Sequence, residues 1–340
     1  MKTLKFLAAG AASLCIGLGA AGAQAQSMVF TSWGGTTQDA QKAAWAEPFT
    51  AATGIKVQQD GPTDYGKFKA MVESGNVAWD VVDVEYDFAV RAAQDGLVEP
   101  VDFSVVKRDE IDPRFVTDHA VGSFYYSFVL GYNPDVLGDK APKSWADLFD
   151  TTAFPGKRTF YKWSAPGVLE IALLADGVAP DELYPLDLDR AFRKLDSIKG
   201  DIVWWGGGAQ SQQLLASGEA ALGMFWNGRL HALEQSGTKV GVSWEQNLTA
   251  ADMLVVPKGA PNKDAAMKFL AQATSAKGQA DMAAQTAYAP VNVKSKDLMD
   301  AATVETLPDR HAAGQINLDM AYWAANRDAI AKRWYAWQTQ

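Results

Sequence analysis

Residues 30–41 read FTSWGGTTQDAQ, and the order of residue types in this stretch decides the fold. An apolar run ends, Trp33 follows, and Gly34-Gly35 lead into an amphipathic segment. Glycine tolerates the backbone angles of a tight strand-to-helix turn. Thr36 or Thr37 is the predicted N-cap, and Thr36-x-x-Asp39 reads as a capping box for a helix over residues 38–53. Strand, glycine turn and helix are the opening of a β-α-β unit.

The same alternation continues outward. Residues 28–31 read as the first strand, and 55–58 as the next, after Gly54 stops the helix. A helix is predicted over 64–74. The run WDVVDV at 79–84 is a continuously apolar, buried-strand pattern, followed by a helix over 88–94. Further strands are expected at 124–132, 157–162, 201–205, 220–226, 240–244 and 253–256, with helices between them and Ser144 capping WADLF. The last third is mostly helical and ends in a Trp/Tyr-rich helix over about 319–337. Repeated β-α-β order predicts an α/β protein with a mainly parallel sheet and helices on both faces. No linker separates the halves, so the chain is expected to cross between two α/β lobes more than once.

Residues 1–26 read MKTLKFLAAGAASLCIGLGAAGAQAQ. Lys2 and Lys5 precede an apolar core, and Ala23-Gln24-Ala25 is a small-x-small cleavage pattern, so 1–25 is read as a secretory signal peptide. The single cysteine, Cys15, falls inside it, which leaves the mature chain without thiol or disulfide chemistry. Losing Lys2 and Lys5 takes the formal charge from −9 to −11. That acidity argues against nucleic acid, whose phosphates need clustered Lys and Arg. His119, His231 and His311 are far apart, and neither HExxH nor G-x-S-x-G occurs. The loop of residues 204–211, WWGGGAQS, follows a strand but lacks the third glycine of a dinucleotide turn, and reads as a loop that needs backbone freedom. The expectation is a non-enzyme with no metal and no cofactor.

Aromatic residues stand at predicted strand ends: Trp33, Tyr86, Trp163, Trp204, Trp205, Trp226, Tyr288 and Trp323. Open α/β sheets bind ligands outside the carboxyl ends of their strands. Glu85 and Asp87 follow DVVDV, and Asp252 opens DMLVVP. A ring face takes methylenes and cationic charge while a carboxylate holds an ammonium, so these residues suit an amine.

The motifs SWGG, TGIKV, WDVVDVE, SWADLFD, FPGKR, GEAALGMFWNG and DMLVVPKGAPNKDAAMKFL, in that order, resemble the periplasmic substrate-binding proteins of ABC transporters, in the spermidine/putrescine-binding branch. The resemblance runs over about residues 28–335. It implies a periplasmic-binding-protein type II fold: two α/β lobes, hinge strands and an interlobe ligand cleft. The lobes would be 26–130 plus 251–292, and 131–250 plus 293–340, with hinges near 126–132, 248–252 and 291–293. It also implies a monomer in the periplasm that hands its solute to an inner-membrane permease. Carried over by position, the ligand contacts fall on Trp33, Glu85, Trp226, Asp252, Tyr288 and, on the last helix, near Trp323.

Two departures bear on the solute. Polyamine binders carry acids before the helix that follows the PGK strand; here residues 161–167 read YKWSAPG. The aromatic two residues before the return-strand acid is Ala250 here. Either Glu85 replaces the missing amine anchor, and the solute is putrescine or spermidine, or Lys162 or Arg229 pairs with a ligand carboxylate. The second case suits an amino-acid-like or opine-like amine.

Overall fold

The computed structural model describes residues 27–340; the predicted signal peptide lies outside them. Strand β1 (Ser27–Thr31) pairs in parallel with β2 (Lys56–Asp60) and β3 (Val81–Glu85). A second parallel set is formed by β5 (Arg158–Tyr161), β6 (Ile202–Trp205) and β7 (Leu222–Trp226). Between them run β4 (Val121–Tyr132) and β8 (Gly241–Val255), antiparallel to each other and to β7 and β3 respectively. The sheet order is β2-β1-β3-β8-β4-β7-β5-β6, with β9 (Ile316–Asn317) beside β8. The expected mainly parallel sheet is therefore two parallel sets joined by an antiparallel pair.

Helices pack on these sets: α1 (Gly35–Gln41), α2 (Glu47–Thr53), α3 (Tyr65–Ser74) and α4 (Tyr86–Gln94) on the first, and α5 (Val168–Ala175), α6 (Leu188–Asp196), α7 (Gly208–Ala216) and α8 (Asn227–Gln235) on the second. After α9 (Lys263–Ala273) and α10 (Ala276–Thr286), the chain closes with α11 (Met320–Gln338). In β3, Val81, Val82 and Val84 are wholly buried, as befits a strand covered on both faces. Asp83 is buried among them because Gln41, Ser32 and Ser123 donate to its carboxylate.

Three local expectations are corrected. The first helix starts at Gly35, with Gly34 at the N-cap (φ +74°) and no threonine cap. The Gln38 amide oxygen instead accepts from the Gly34 N–H at 2.9 Å, which frees the Thr36 hydroxyl. Strands expected at 240–244 and 253–256 are one strand, β8. Its register slips opposite Phe128 and Leu130, and Gln246 takes φ +53° where its carbonyl accepts from the Trp145 indole at 2.9 Å. A bulge of this kind looks like a strand break in sequence. Finally, 291–293 does not pass between the halves. The Val291 N–H bonds Gln279, the Val293 N–H bonds the Glu110 carbonyl, and Asn292 bridges to Ile111. The later passage is at β9, beside Leu248 and Thr249.

Candidate ligand-binding site

The carboxyl ends of β1, β3, β5 and β7 converge on a narrow cavity between the two parallel sets. Trp33, Thr37, Glu85, Phe124, Tyr126, Tyr161, Trp226, Arg229, Asp252 and Tyr288 line it. Six of these were expected from sequence: Trp33, Glu85, Trp226, Arg229, Asp252 and Tyr288.

Strand register builds the floor. Glu85 lies opposite Asp252 across β3 and β8, and Asp252 opposite Phe124 across β8 and β4. Directly paired residues project to the same face, so the two carboxylates and the ring form a row. Phe124, Tyr126 and Phe128 alternate onto that face, and Phe128 pairs with Trp226. Tyr288 stacks on Phe124 with centroids 4.7 Å apart, and Trp226 meets Trp205 edge-on at 4.8 Å. The WNG motif at 226–228 has a division of labour. Trp226 faces the cavity. Asn227 accepts from the Ser127 N–H at 3.0 Å and donates to the Ala287 carbonyl at 2.7 Å, tying β4 to the Tyr288 segment. A Cβ on Gly228 would lie 2.5 Å from the Tyr288 ring, so glycine is what lets Tyr288 approach.

Arg229 enters from the first turn of α8 and is 3% exposed. Its Nη1 donates to the Thr36 hydroxyl at 2.9 Å, across the cavity mouth. Two glycines of WWGGGAQS contribute room rather than unusual backbone angles: a Cβ on Gly206 would lie 2.6 Å from the Lys162 Cε, and one on Gly208 2.6 Å from the Arg229 Cζ. Four buried polar atoms of the lining lack a well-formed hydrogen bond: the indole Nε1 of Trp33 and of Trp226, the Arg229 Nε and the Asp252 Oδ1; of these, the Trp33 indole lies near enough to the Asp252 carboxyl to oppose its upward shift, so these two partly satisfy each other. Such atoms cost about 1–3 kcal/mol each when left unpaired, so they mark where a ligand's polar groups go.

Burial, then the neighbouring Asp83 and Glu85 charges, push the Asp252 carboxyl well above the usual carboxylate range. Asp83, just behind, is raised to about 7 by burial. Glu85 is also raised, by burial, with Arg327 opposing. Its Oε2 accepts from the Tyr65 hydroxyl at 3.1 Å and from Arg327 Nη2 at 3.2 Å.

Trp323 is not brought to the cavity. It is fully buried and its indole donates to Glu170 at 2.6 Å, so its burial in α11 serves packing. Arg327, one turn further along the helix, makes the contact with the site instead. Lys162 also lies outside, with its ammonium 4.3 Å over the exposed Trp163 ring. Trp204 packs against Trp334 and Trp337, and Tyr86 lines an adjacent groove. His311 stacks on Trp244 at 4.0 Å. Sequence reading missed Thr37, Phe124, Tyr126 and Tyr161. The alternation in FYYSF at 124–128 was a signal for Phe124 and Tyr126, but only the pairing with Asp252 and Ala250 shows which face is lined.

Comparison with known proteins places this geometry. The model of the family described as bacterial extracellular solute-binding protein matches residues 44–312. The γ-aminobutyric acid-binding protein of Pseudomonas aeruginosa is 36% identical, over 94% of this chain and 92% of that protein. The spermidine/putrescine-binding periplasmic protein of Escherichia coli K12 is 26% identical, over 66% of this chain and 67% of that one. Among solved structures, the Atu4243–GABA receptor is 68% identical over 92% of this chain and 98% of that one, with a TM-score of 0.87. AgtB of Agrobacterium tumefaciens R10, in complex with agropinic acid, is 37% identical over 93% of this chain and 99% of that one, with a TM-score of 0.86. AttC of A. tumefaciens C58, in an open unliganded conformation, is 34% identical over 92% of this chain and 99% of that one, yet its TM-score is 0.66. The neighbours share the two-lobed type II periplasmic-binding-protein fold. On the extent of these matches, the chain belongs to the bacterial extracellular solute-binding proteins, the substrate-binding components of ABC importers.

Proposed function

We propose that the protein captures a small zwitterionic amine, an ω-amino acid of the γ-aminobutyric acid class, for delivery to an ABC permease. The unpartnered polar atoms of the cavity carry this reading. Three of the four, on Trp33, Trp226 and Arg229, are donors; one, on Asp252, is an acceptor. A protonated diamine offers only donors and leaves the Trp226 and Arg229 donors unpaired. A ligand with a carboxylate at one end and an ammonium at the other satisfies both kinds. Arg229 supplies the charge-assisted contact to the carboxylate, Asp252 receives the ammonium, and the aromatic walls take the methylenes. The leading polyamine expectation therefore gives way to the carboxylate-bearing alternative. The two similar proteins whose names include γ-aminobutyric acid support the same choice.

The reading includes a hinged closure of two lobes, residues 26–130 plus 251–292 and 131–250 plus 293–340. Residues 293–315 move to the first lobe, because Lys294 pairs with Glu110 at 3.0 Å and the chain passes back only at β9. Closure between β4 and β8 is supported by a TM-score of 0.86 to a ligand complex against 0.66 to an open relative. Calorimetric titration of the purified mature protein tests the reading. Binding of γ-aminobutyric acid, with none of putrescine or spermidine at about 1 mM, is expected; about 1 mM corresponds to only −4 kcal/mol. Tight putrescine binding without γ-aminobutyric acid binding overturns it.

A further inference from the structure

We infer that Arg327, on the last helix, determines which charge class of solute the cavity accepts, by withholding Glu85 from the amine end. The inference rests on the zwitterion reading and extends it to a residue outside the cavity lining. Glu85 and Asp252 sit side by side in register at the ends of β3 and β8. Two free carboxylates in that row would form a dianionic end suited to a dication. Arg327 changes this. Its Nη2 lies 3.2 Å from Glu85 Oε2, and its Nη1 bonds the wholly buried Asp87 carboxylate. The Tyr65 hydroxyl donates to the same Glu85 oxygen, so that oxygen is occupied from two sides. Asp252, by contrast, is reached by no salt bridge among the described residues, and its Oδ1 has no well-formed hydrogen bond.

The helix fixes the guanidinium in place. One turn earlier, Trp323 is hydrogen-bonded to Glu170, and two turns later the Trp334 indole donates to the Lys162 carbonyl at 2.9 Å. Arg91 on α4 pairs with Asp328 at 2.8 Å, holding the same turn of α11 against β3's end. Around the cavity stand four carboxyl groups, Asp83, Glu85, Asp87 and Asp252, and two guanidiniums, Arg229 and Arg327. Removing Arg327 leaves Arg229 alone against them and frees Glu85 beside Asp252. Charge complementarity then favours a diamine over a zwitterion.

The test measures Kd for putrescine and for γ-aminobutyric acid by calorimetry in the mature protein, Arg327→Gln and Arg327→Lys. The ratio Kd(putrescine)/Kd(γ-aminobutyric acid) is expected to fall by more than about tenfold in Arg327→Gln and to return toward wild type in Arg327→Lys. A smaller fall in a folded Arg327→Gln overturns the inference. If that variant does not fold, Arg327→Gln with Asp87→Asn replaces it. The pair removes the buried carboxylate left without a partner, keeps Glu85 free, and carries the same expectation and threshold. Wild-type protein that binds putrescine within about tenfold of γ-aminobutyric acid overturns the inference without any variant. If wild type binds neither solute, the ω-amino acid reading fails by itself. Putrescine binding gained in Arg327→Gln then still supports the role of Arg327, and none gained overturns it.

Discussion

Gly208→Ala separates binding from folding at the carboxylate end of the cavity. Gly208 is the first residue of α7, and its φ lies outside the left-handed region, so alanine fits the backbone there. Alanine is favoured over glycine in a helix by up to about 1 kcal/mol, which offsets only part of the roughly 1–3 kcal/mol that overpacking against a buried side chain costs, so the melting temperature should fall modestly. The added methyl, however, would stand 2.6 Å from the Arg229 Cζ and 2.9 Å from its Cδ. Contacts that short force the side chain to move, and Arg229 is 3% exposed, with little free space to move into. The guanidinium is displaced, and its Nη1 bond to Thr36 is disturbed. A hydrogen bond to a charged group contributes about 1.5–3 kcal/mol. The Kd for γ-aminobutyric acid should therefore rise by about 10- to 150-fold, at about 1.4 kcal/mol per factor of ten. Calorimetry gives the Kd, and thermal denaturation of the ligand-free protein gives the stability. A Kd within about threefold of wild type, in a folded Gly208→Ala protein, would refute the assignment of Arg229 to the carboxylate.

Other measurements probe different parts of the site. Trp226→Ala removes a ring wall and a donor, and should weaken binding by more than about 30-fold in the same titration, in line with truncation of a buried aromatic anchor. Trp323→Phe loses the bond to Glu170 and part of a fully buried ring; the melting transition should drop by about 2–5 kcal/mol equivalent, with solute affinity held within about threefold. The raised Asp252 carboxyl implies that ammonium binding expels a proton. Affinity should thus fall as the pH is lowered, and the binding enthalpy should vary with the buffer's ionisation enthalpy; buffer-independent enthalpies would count against Asp252 as the amine anchor. Asp83, raised to about 7, holds a proton in the folded state that the unfolded chain has released by about pH 5. Its contribution to stability therefore declines as the pH rises from about 4 toward 7. Asp83→Asn should flatten that decline in a melting series from about pH 4.5 to 8, and an unchanged slope would refute the cause given.

Much of the fold was written in local pattern. The glycine turn after Trp33, the apolar run before Glu85 and the WNG step after β7 each announce a strand end in a few residues. Strand ends are where an α/β sheet binds, and the family resemblance singled out Trp33, Glu85, Trp226, Asp252 and Tyr288 among them; Arg229 was named only as a partner for a ligand carboxylate. Trp323 could not be told from a ligand contact, because a tryptophan at a given helix position looks the same whether its neighbour is solute or Glu170. Arg327 was passed over for the converse reason: its partners, Glu85 and Asp87, are some 240 residues away.

The sequence by itself determined the element types, their order and the positions where strands give way to helices, since these depend on propensity, periodicity and turn chemistry within about ten residues. Only the tertiary structure decided that β8 is one bulged strand between β3 and β4, that Glu85 and Asp252 stand side by side, and that one is neutralised while the other is left open. Those outcomes depend on which strands become neighbours and in what register. A shift of one residue would turn Asp252 to the other face of the sheet. The charge a cavity presents is a sum over lateral neighbours, and lateral neighbours are fixed by packing, not by adjacency in the chain.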